Sequence, residues 1–208
     1  MMIIKYVGHA CFKITEGDFS IVIDPYADGS VPGLKDMHET ANLVICSHGH
    51  MDHHGIENVK ISEVRIDTPF EMSCIRTYHD DKEGTLRGPN EITVMKAEGR
   101  TIVHMGDIGC MLSGEDIDKL KGCDLLLIPV GGFFTIDGKQ AAEYVKLIAP
   151  KAVVPMHYRG ASFGYSEIGT LDGFTGCIDL PVRKIGSELD IDEIKAGSGV
   201  LVMTPANA

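Results

Sequence analysis

Residues 47 to 55 read Ser-His-Gly-His-Met-Asp-His-His-Gly, directly after the short apolar run Asn42 to Cys46. His48, His50, Asp52 and His53 thus fall within six residues. A loop leaving a strand end can aim several side chains into one volume while the strand holds its base rigid. The chain must therefore end a strand at Cys46 and gather its other elements around that end. Imidazole and carboxylate together suit zinc, and also manganese or iron. Three or four protein ligands complete one site, so this density exceeds the needs of one ion. Two ions sharing a bridging hydroxide account for the surplus.

More ligands are then needed, also at strand ends, and three residues fit. His79 follows the run Ser73 to Tyr78, and Asp107 follows Thr101 to Met105 with Gly106 allowing a tight turn. His157 follows Ala152 to Val154 through Pro155 and Met156. Taken singly, each also fits a core histidine or a turn cap; with the first loop they make seven groups, enough for two ions.

The rest of the chain reads as mixed α/β. Ile3 to Val7, Cys11 to Thr15 and Phe19 to Ile23 form a β-rich opening, broken at Gly8 and stopped at Asp24-Pro25. Further apolar runs lie at Glu91 to Met95, Asp124 to Val130 and Val200 to Met203. Ser113 is placed to cap one helix, with Asp116 three residues on and Leu112 and Ile117 as a hydrophobic staple. Asp137 and Gln140 open a second helix with an Ala141, Tyr144, Val145, Ile148 stripe that Pro150 ends. A weaker helix is expected between Ser166 and Gly176. No linker or repeat divides the 208 residues, so one domain, 1–208, is expected.

Nineteen basic against 30 acidic residues give a net charge of −11, which disfavours nucleic acid as a partner. No apolar run approaches the ~20 residues of a membrane helix. The N-terminal residues lack a signal-peptide layout. The six scattered cysteines match neither a zinc finger nor a dense disulfide framework. A cytoplasmic location with reduced thiols is therefore expected, and a homo-oligomer is left open.

At this point the chain resembles the metallo-β-lactamase superfamily. The His-x-His-x-Asp-His loop, followed by a histidine, an aspartate and a last histidine, carries the likeness over nearly the whole chain. Tyr6-Val7-Gly8-His9-Ala10, Ile23-Asp24-Pro25, His79-Asp80-Asp81, Arg87-Gly88-Pro89-Asn90 and Met105-Gly106-Asp107-Ile108-Gly109 contribute. Gly131-Gly132-Phe133-Phe134-Thr135 and Pro155-Met156-His157-Tyr158 narrow it to an L-ascorbate-6-phosphate lactonase-like branch. The resemblance implies a four-layer αββα sandwich of metallo-β-lactamase type. It implies that His48, His50 and His79 hold one metal, that Asp52, His53 and His157 hold the other, and that Asp107 bridges them. Cys110 departs from the pattern, where a histidine is expected; this touches no metal ligand.

The chemistry follows. Two divalent ions, zinc first with manganese or iron as alternatives, lower the pKa of bound water to about 7. Asp52 is both ligand and proton acceptor. The cations make the pocket locally positive, so an anionic small molecule is an allowed substrate. His9 is a candidate for positioning substrate or protonating a leaving group, with a structural histidine as the rival reading. Arg87 is a candidate carboxylate or phosphate clamp, its rival an exposed loop arginine. Thr135 and Tyr158 stand near site edges as substrate donors, and Phe133 and Phe134 as walls. Asp24 reads as a carboxylate behind the ligands; His38 and His104 have no assigned role.

The leading reading is a metal-dependent hydrolase of a small anionic ester, lactone or phosphoester. Three alternatives differ in what would reveal them. A phosphodiesterase or nuclease of the same fold would bind oligonucleotides salt-sensitively. A di-iron redox protein would carry iron and reduce oxygen, but position 50 is histidine where such members have glutamate. A metal-binding protein without turnover would fail a screen of esters, lactones and phosphoesters.

Overall fold

The computed structural model describes residues 1–208. Fourteen strands run in chain order: β1 Met2–Gly8, β2 Cys11–Glu16, β3 Phe19–Ile23, β4 Glu39–Ala41, β5 Leu43–Ile45, β6 Val59–Ile61 and β7 Glu71–Tyr78, then β8 Pro89–Ala97, β9 Arg100–His104, β10 Leu125–Pro129, β11 Ala152–Met156, β12 Val182–Ile185, β13 Glu188–Asp190 and β14 Gly199–Met203. Helices α1 Gly114–Leu120, α2 Gly138–Ile148 and α3 Asp172–Thr175 interrupt them. A five-stranded sheet has the order β13-β1-β2-β3-β5 and a seven-stranded sheet the order β12-β14-β11-β10-β9-β8-β7. β4 and β6 pair separately.

Side-chain alternation sorts the layers. Ile4, Tyr6, Phe12, Ile14, Ile21 and Ile23 of the first sheet meet Leu125, Leu127, Val154 and Met156 of the second in one buried cluster. The intervening residues Leu126, Ile128 and Val153 face the other way and pack with Ile117, Leu120, Ala141, Tyr144 and Ile148 of α1 and α2. β10 is apolar throughout because both its faces are covered. The structure is thus an α/β sandwich. Over the outer face of the five-stranded sheet, Val7, Cys11 and Val22 are covered by Tyr26, Val31, Met37, Ala41 and Val59. That outer layer is built from loop, the β4–β6 pair and a 3₁₀ turn at Ile56–Asn58, whereas the three α-helices named above contribute to the opposite layer.

Local signals explain the helices. Ser113 Oγ accepts from the Asp116 N–H at 3.1 Å. Asp137 and Gln140 form a reciprocal capping box, with bonds of 2.9 and 3.0 Å. The helix expected between Ser166 and Gly176 shrinks to the single turn of α3, since its N-cap Leu171 offers no side-chain acceptor. No helix is long and apolar enough to cross a membrane.

Parallel pairing decides where chemistry can sit. β3 and β5 run parallel, as do β9, β10 and β11, so their C-terminal ends share one rim in each sheet. Crevices beyond the carboxyl ends of parallel strands are where α/β folds place ligands.

Candidate metal centre

Each expected ligand leaves a strand end on this rim. The 48–53 loop follows β5, His79 follows β7, Asp107 follows β9 and His157 follows β11. The seven side chains converge. Donor atoms of His48, His50 and His79 lie within 4.8 Å of one another, as do those of His48, His53 and Asp107. A further group unites Asp52, His53 and His157 with His9.

Asp107 is the hub. Its Oδ2 stands 3.1 Å from His53 Nε2, 3.2 Å from His79 Nε2, 3.1 Å from His157 Nε2 and 4.0 Å from His48 Nε2. Gly106 lets the backbone turn into this position, at φ 55; a Cβ there would fall 2.3 Å from Asn90 Oδ1. Asn90 in turn accepts the Asp107 N–H at 2.8 Å and donates to the Met105 carbonyl at 3.0 Å.

The fit to a cation is tested by buried polar atoms that have no hydrogen-bond partner. These include His48 Nε2, His53 Nε2, His157 Nε2 and Asp107 Oδ1. Buried donors and acceptors are normally satisfied, so a cluster of orphans converging on one point marks a place built for a ligand. Contacts at Nδ1 orient two of these rings, His48 and His53. Ser47 Oγ donates its single proton to Asp24 Oδ2 at 2.6 Å, so it accepts from His48 Nδ1 at 3.0 Å and leaves Nε2 bare. Asp24 Oδ2 also accepts from His53 Nδ1 at 2.8 Å, which turns its Nε2 toward the cluster. Nitrogen and carboxylate oxygen donors in this mixture suit a divalent transition ion.

Electrostatics point the same way. Burial, and then the nearby His53, push His48 down to about 3. Burial, and then His157, push His9 down to about 4. Burial alone lowers His53 as well, but the Asp107 and Asp24 carboxylates outweigh it and hold it well above its ordinary value. Asp107 stays ionised despite its burial because His157 and His53 lie against it. Burial thus favours the neutral form of His48 and His9 beside these anionic oxygens.

Two supports went unassigned in the sequence or were read there only in outline. Asp24, at the end of β3, takes both the backbone N–H and the hydroxyl of Ser47 as well as His53. His104 spans the sheets: Nε2 donates to the Ala10 carbonyl at 2.9 Å, and Nδ1 accepts the Gly106 N–H at 3.1 Å. An isolated histidine inside the apolar run of β9 carries no sequence signal for that role.

Beside the cluster opens a cavity of about 350 Å³ lined by His50, Asp52, His79, Arg87, Asp107, Phe134 and Tyr165. The Arg87 guanidinium lies 5.7 Å from the Phe134 ring centre. Its loop is wrapped around the buried Asp80 carboxylate, which accepts the N–H groups of Lys82, Gly84, Leu86 and Arg87. Tyr165, which sequence reasoning missed, donates to the Ser30 carbonyl at 2.7 Å. Thr135 and Tyr158 do not line this cavity: Thr135 Oγ1 donates to the Ile136 carbonyl, and Tyr158 packs in the core against Phe163. Phe133 is 62% exposed, so Phe134 alone of the pair forms a wall. Cys110 sits 3.1 Å from Thr77 Oγ1, away from the ligand atoms. His9 is buried, with Nε2 3.2 Å from Asp52 Oδ2.

A family model described as "Beta-lactamase superfamily domain" matches residues 3–157. A UPF0173 metal-dependent hydrolase of Pelotomaculum thermopropionicum is 34% identical, the match covering 76% of this chain and 84% of that protein. One from Pyrococcus abyssi is 32% identical over 76% and 85%. A crystal structure from Thermotoga maritima, described as belonging to the metallo-β-lactamase superfamily, is 30% identical and covers 98% of each chain with a TM-score of 0.76.

Proposed function

The chain belongs to the metallo-β-lactamase superfamily and is a metal-dependent hydrolase, and from that premise we propose that it uses two divalent cations to hydrolyse a small anionic ester, lactone or phosphoester. The convergence of His53, His79 and His157 Nε2 within 3.1–3.2 Å of one Asp107 oxygen carries this reading. His48, His50 and His79 would hold one ion, Asp52, His53 and His157 the other, with Asp107 shared between them. Zinc suits this donor set first, with manganese or iron as alternatives.

Held by these residues, divalent cations would supply a water of lowered pKa, about 7, and polarisation of a carbonyl or phosphoryl oxygen. The chain's own groups do the rest. Burial alone would raise the Asp52 carboxyl, but the bond from His9 and the nearby His53 keep it ionised. It faces the cavity and is placed to take the proton of the attacking water. Arg87 makes no ion pair with a carboxylate and reaches the same cavity, where it binds the substrate's anionic group. Phe134 and Tyr165 shield the reacting atoms from bulk water. The cavity's size supports a small molecule, and the net charge of −11 weighs against nucleic acid. Lactones lead the screen because Gly131–Thr135 and Pro155–Tyr158 resemble a lactonase-like branch.

Elemental analysis of protein purified without added metal, followed by a screen of anionic esters, lactones and phosphoesters, tests the reading. Asp52→Ala should lower kcat about 10²–10⁴-fold while far-UV circular dichroism is preserved. Full turnover in that variant overturns it.

A further inference from the structure

His9 is the point at which the two sheets' ligands are tied to each other. It follows β1 in the left-handed region at φ 57, a conformation rare outside glycine, asparagine, aspartate and histidine. Its carbonyl accepts the Tyr6 hydroxyl at 2.9 Å and the His157 N–H at 2.9 Å. Its ring reaches the other way, placing Nε2 3.2 Å from Asp52 Oδ2. Asp52 comes from the loop after β5 in one sheet, and His157 from the end of β11 in the other.

We propose that His9 is a positioning residue that sets the separation of Asp52 and His157, and with it the affinity and geometry of one cation site only. The proposal rests on the two-cation reading above. A carboxylate oxygen accepts, so the 3.2 Å contact assigns the ring proton to His9 Nε2. A nitrogen that donates this proton does not at the same time ligate a metal. His9 therefore stands in the donor cluster without being a ligand. The bond occupies Oδ2 of Asp52 and fixes the plane in which the carboxylate meets a cation. Hydrogen bonds to ligating carboxylates commonly govern metal affinity about 10–100-fold.

Simple packing does not account for the ring. His9 Nδ1 is buried without a partner, a cost that an apolar side chain would avoid. The ring is also pressed against His157, with centroids 4.1 Å apart, so it braces that ligand from the side as well as through its main chain. No such brace reaches His50, and the group His48, His50 and His79 assembles without His9. The effect should therefore fall on one site and spare the other.

Cobalt(II) titration of metal-stripped protein reads this directly, through visible ligand-field absorption and competition with a chromophoric chelator. Wild type should take up two equivalents. His9→Asn suits the left-handed backbone but is too short to reach Asp52, and His9→Ala removes the donor altogether. Both should bind the first equivalent like wild type and the second about 10–100-fold more weakly. His9→Gln keeps an N–H at similar reach and should restore most of the loss. In an Asp52→Ala background, His9→Asn should add little, because the two residues act as one unit. Two tight equivalents in His9→Ala and His9→Asn overturn the proposal alone. So does a His9→Gln protein as weak as His9→Ala, which would make the imidazole itself a ligand. Fewer than two equivalents in wild type overturns the two-cation reading and this proposal with it.

Discussion

Asp24 Oδ2 lies 2.8 Å from His53 Nδ1, and neither side chain is exposed. This one contact aims His53 Nε2 at Asp107 and commits Nδ1 to Asp24, so that a cation would meet Nε2. The same carboxylate holds Ser47, which orients His48. Asp24→Ala should therefore weaken metal binding about 10–100-fold without removing a ligand. It also leaves the buried His53 Nδ1 without its partner, at about 1–3 kcal/mol of stability. Metal content after dialysis against a fixed free-metal buffer, together with the urea midpoint, checks both effects.

His104 tests whether the two sheets must be clamped at the site. Replacing it with Ala leaves the Ala10 carbonyl and the Gly106 N–H without their partners, each worth about 1–3 kcal/mol when buried. The loss should be about 2–5 kcal/mol in denaturant unfolding. Gly106 precedes Asp107, so the metal content of the folded fraction should fall as well. A variant that is destabilised yet fully metal-loaded would show that Gly106 is held without the histidine.

The 48–53 loop, Asp107 and His157 were legible in the sequence because each follows an apolar run that ends abruptly, whereas His79 follows the mixed, mostly exposed strand β7 and was marked only by its place at a strand end. The helix caps were legible because a side-chain acceptor at the N-cap acts within three residues. The orienting contacts were not. Asp24 to His53 and His104 to Ala10 span 29 and 94 residues, and no local pattern encodes which distant group a buried imidazole meets. Thr135 and Tyr158 were drawn toward the site by their neighbours in sequence. The backbone instead turns at Phe133 and His157, both in the left-handed region, and sends those side chains elsewhere. Tyr165 lies in an irregular stretch whose placement comes from Gly164 bonding back to the Pro32 carbonyl.

Arg87 stands over Phe134 with no carboxylate partner, in a chain that has 30 acidic residues to offer. A charged group kept free beside a cavity is available to a ligand. Hydrogen bonds between charged groups contribute about 1.5–3 kcal/mol. Arg87→Ala should therefore raise KM for a carboxylate-bearing aryl ester about 10–100-fold, with a smaller effect on kcat. The same substitution assayed with an uncharged aryl ester should shift KM far less. Equal losses on both esters would place the arginine's effect in the loop and not in anion binding.

The opposite ends of the ligand-bearing strands are pinned by Asp124, which gives stability an acid limb independent of the metal site. Its carboxylate meets Lys151 at 2.7 Å, Arg100 at 3.2 Å and the Thr101 N–H at 2.9 Å. Burial alone would raise its pKa, but Lys151, the Thr101 N–H and Arg100 outweigh burial and hold it below the ordinary value. The unfolded chain then binds the proton more readily than the folded one. This part of the stability is complete above the unfolded value near ~3.9 and is lost as pH falls through the lower folded value. Asp124→Asn keeps the shape and removes the charge, at a cost of about 1–3 kcal/mol at pH 7, reduced by salt because both cations are partly solvated. Melting temperatures of the two proteins should differ most at pH 5 to 7 and converge below pH ~4. Histidine titration is common to both proteins and cancels from the difference. A gap that stays constant down to pH 3 would mean that the Asp124 charge contributes nothing and that only its hydrogen-bonding shape matters.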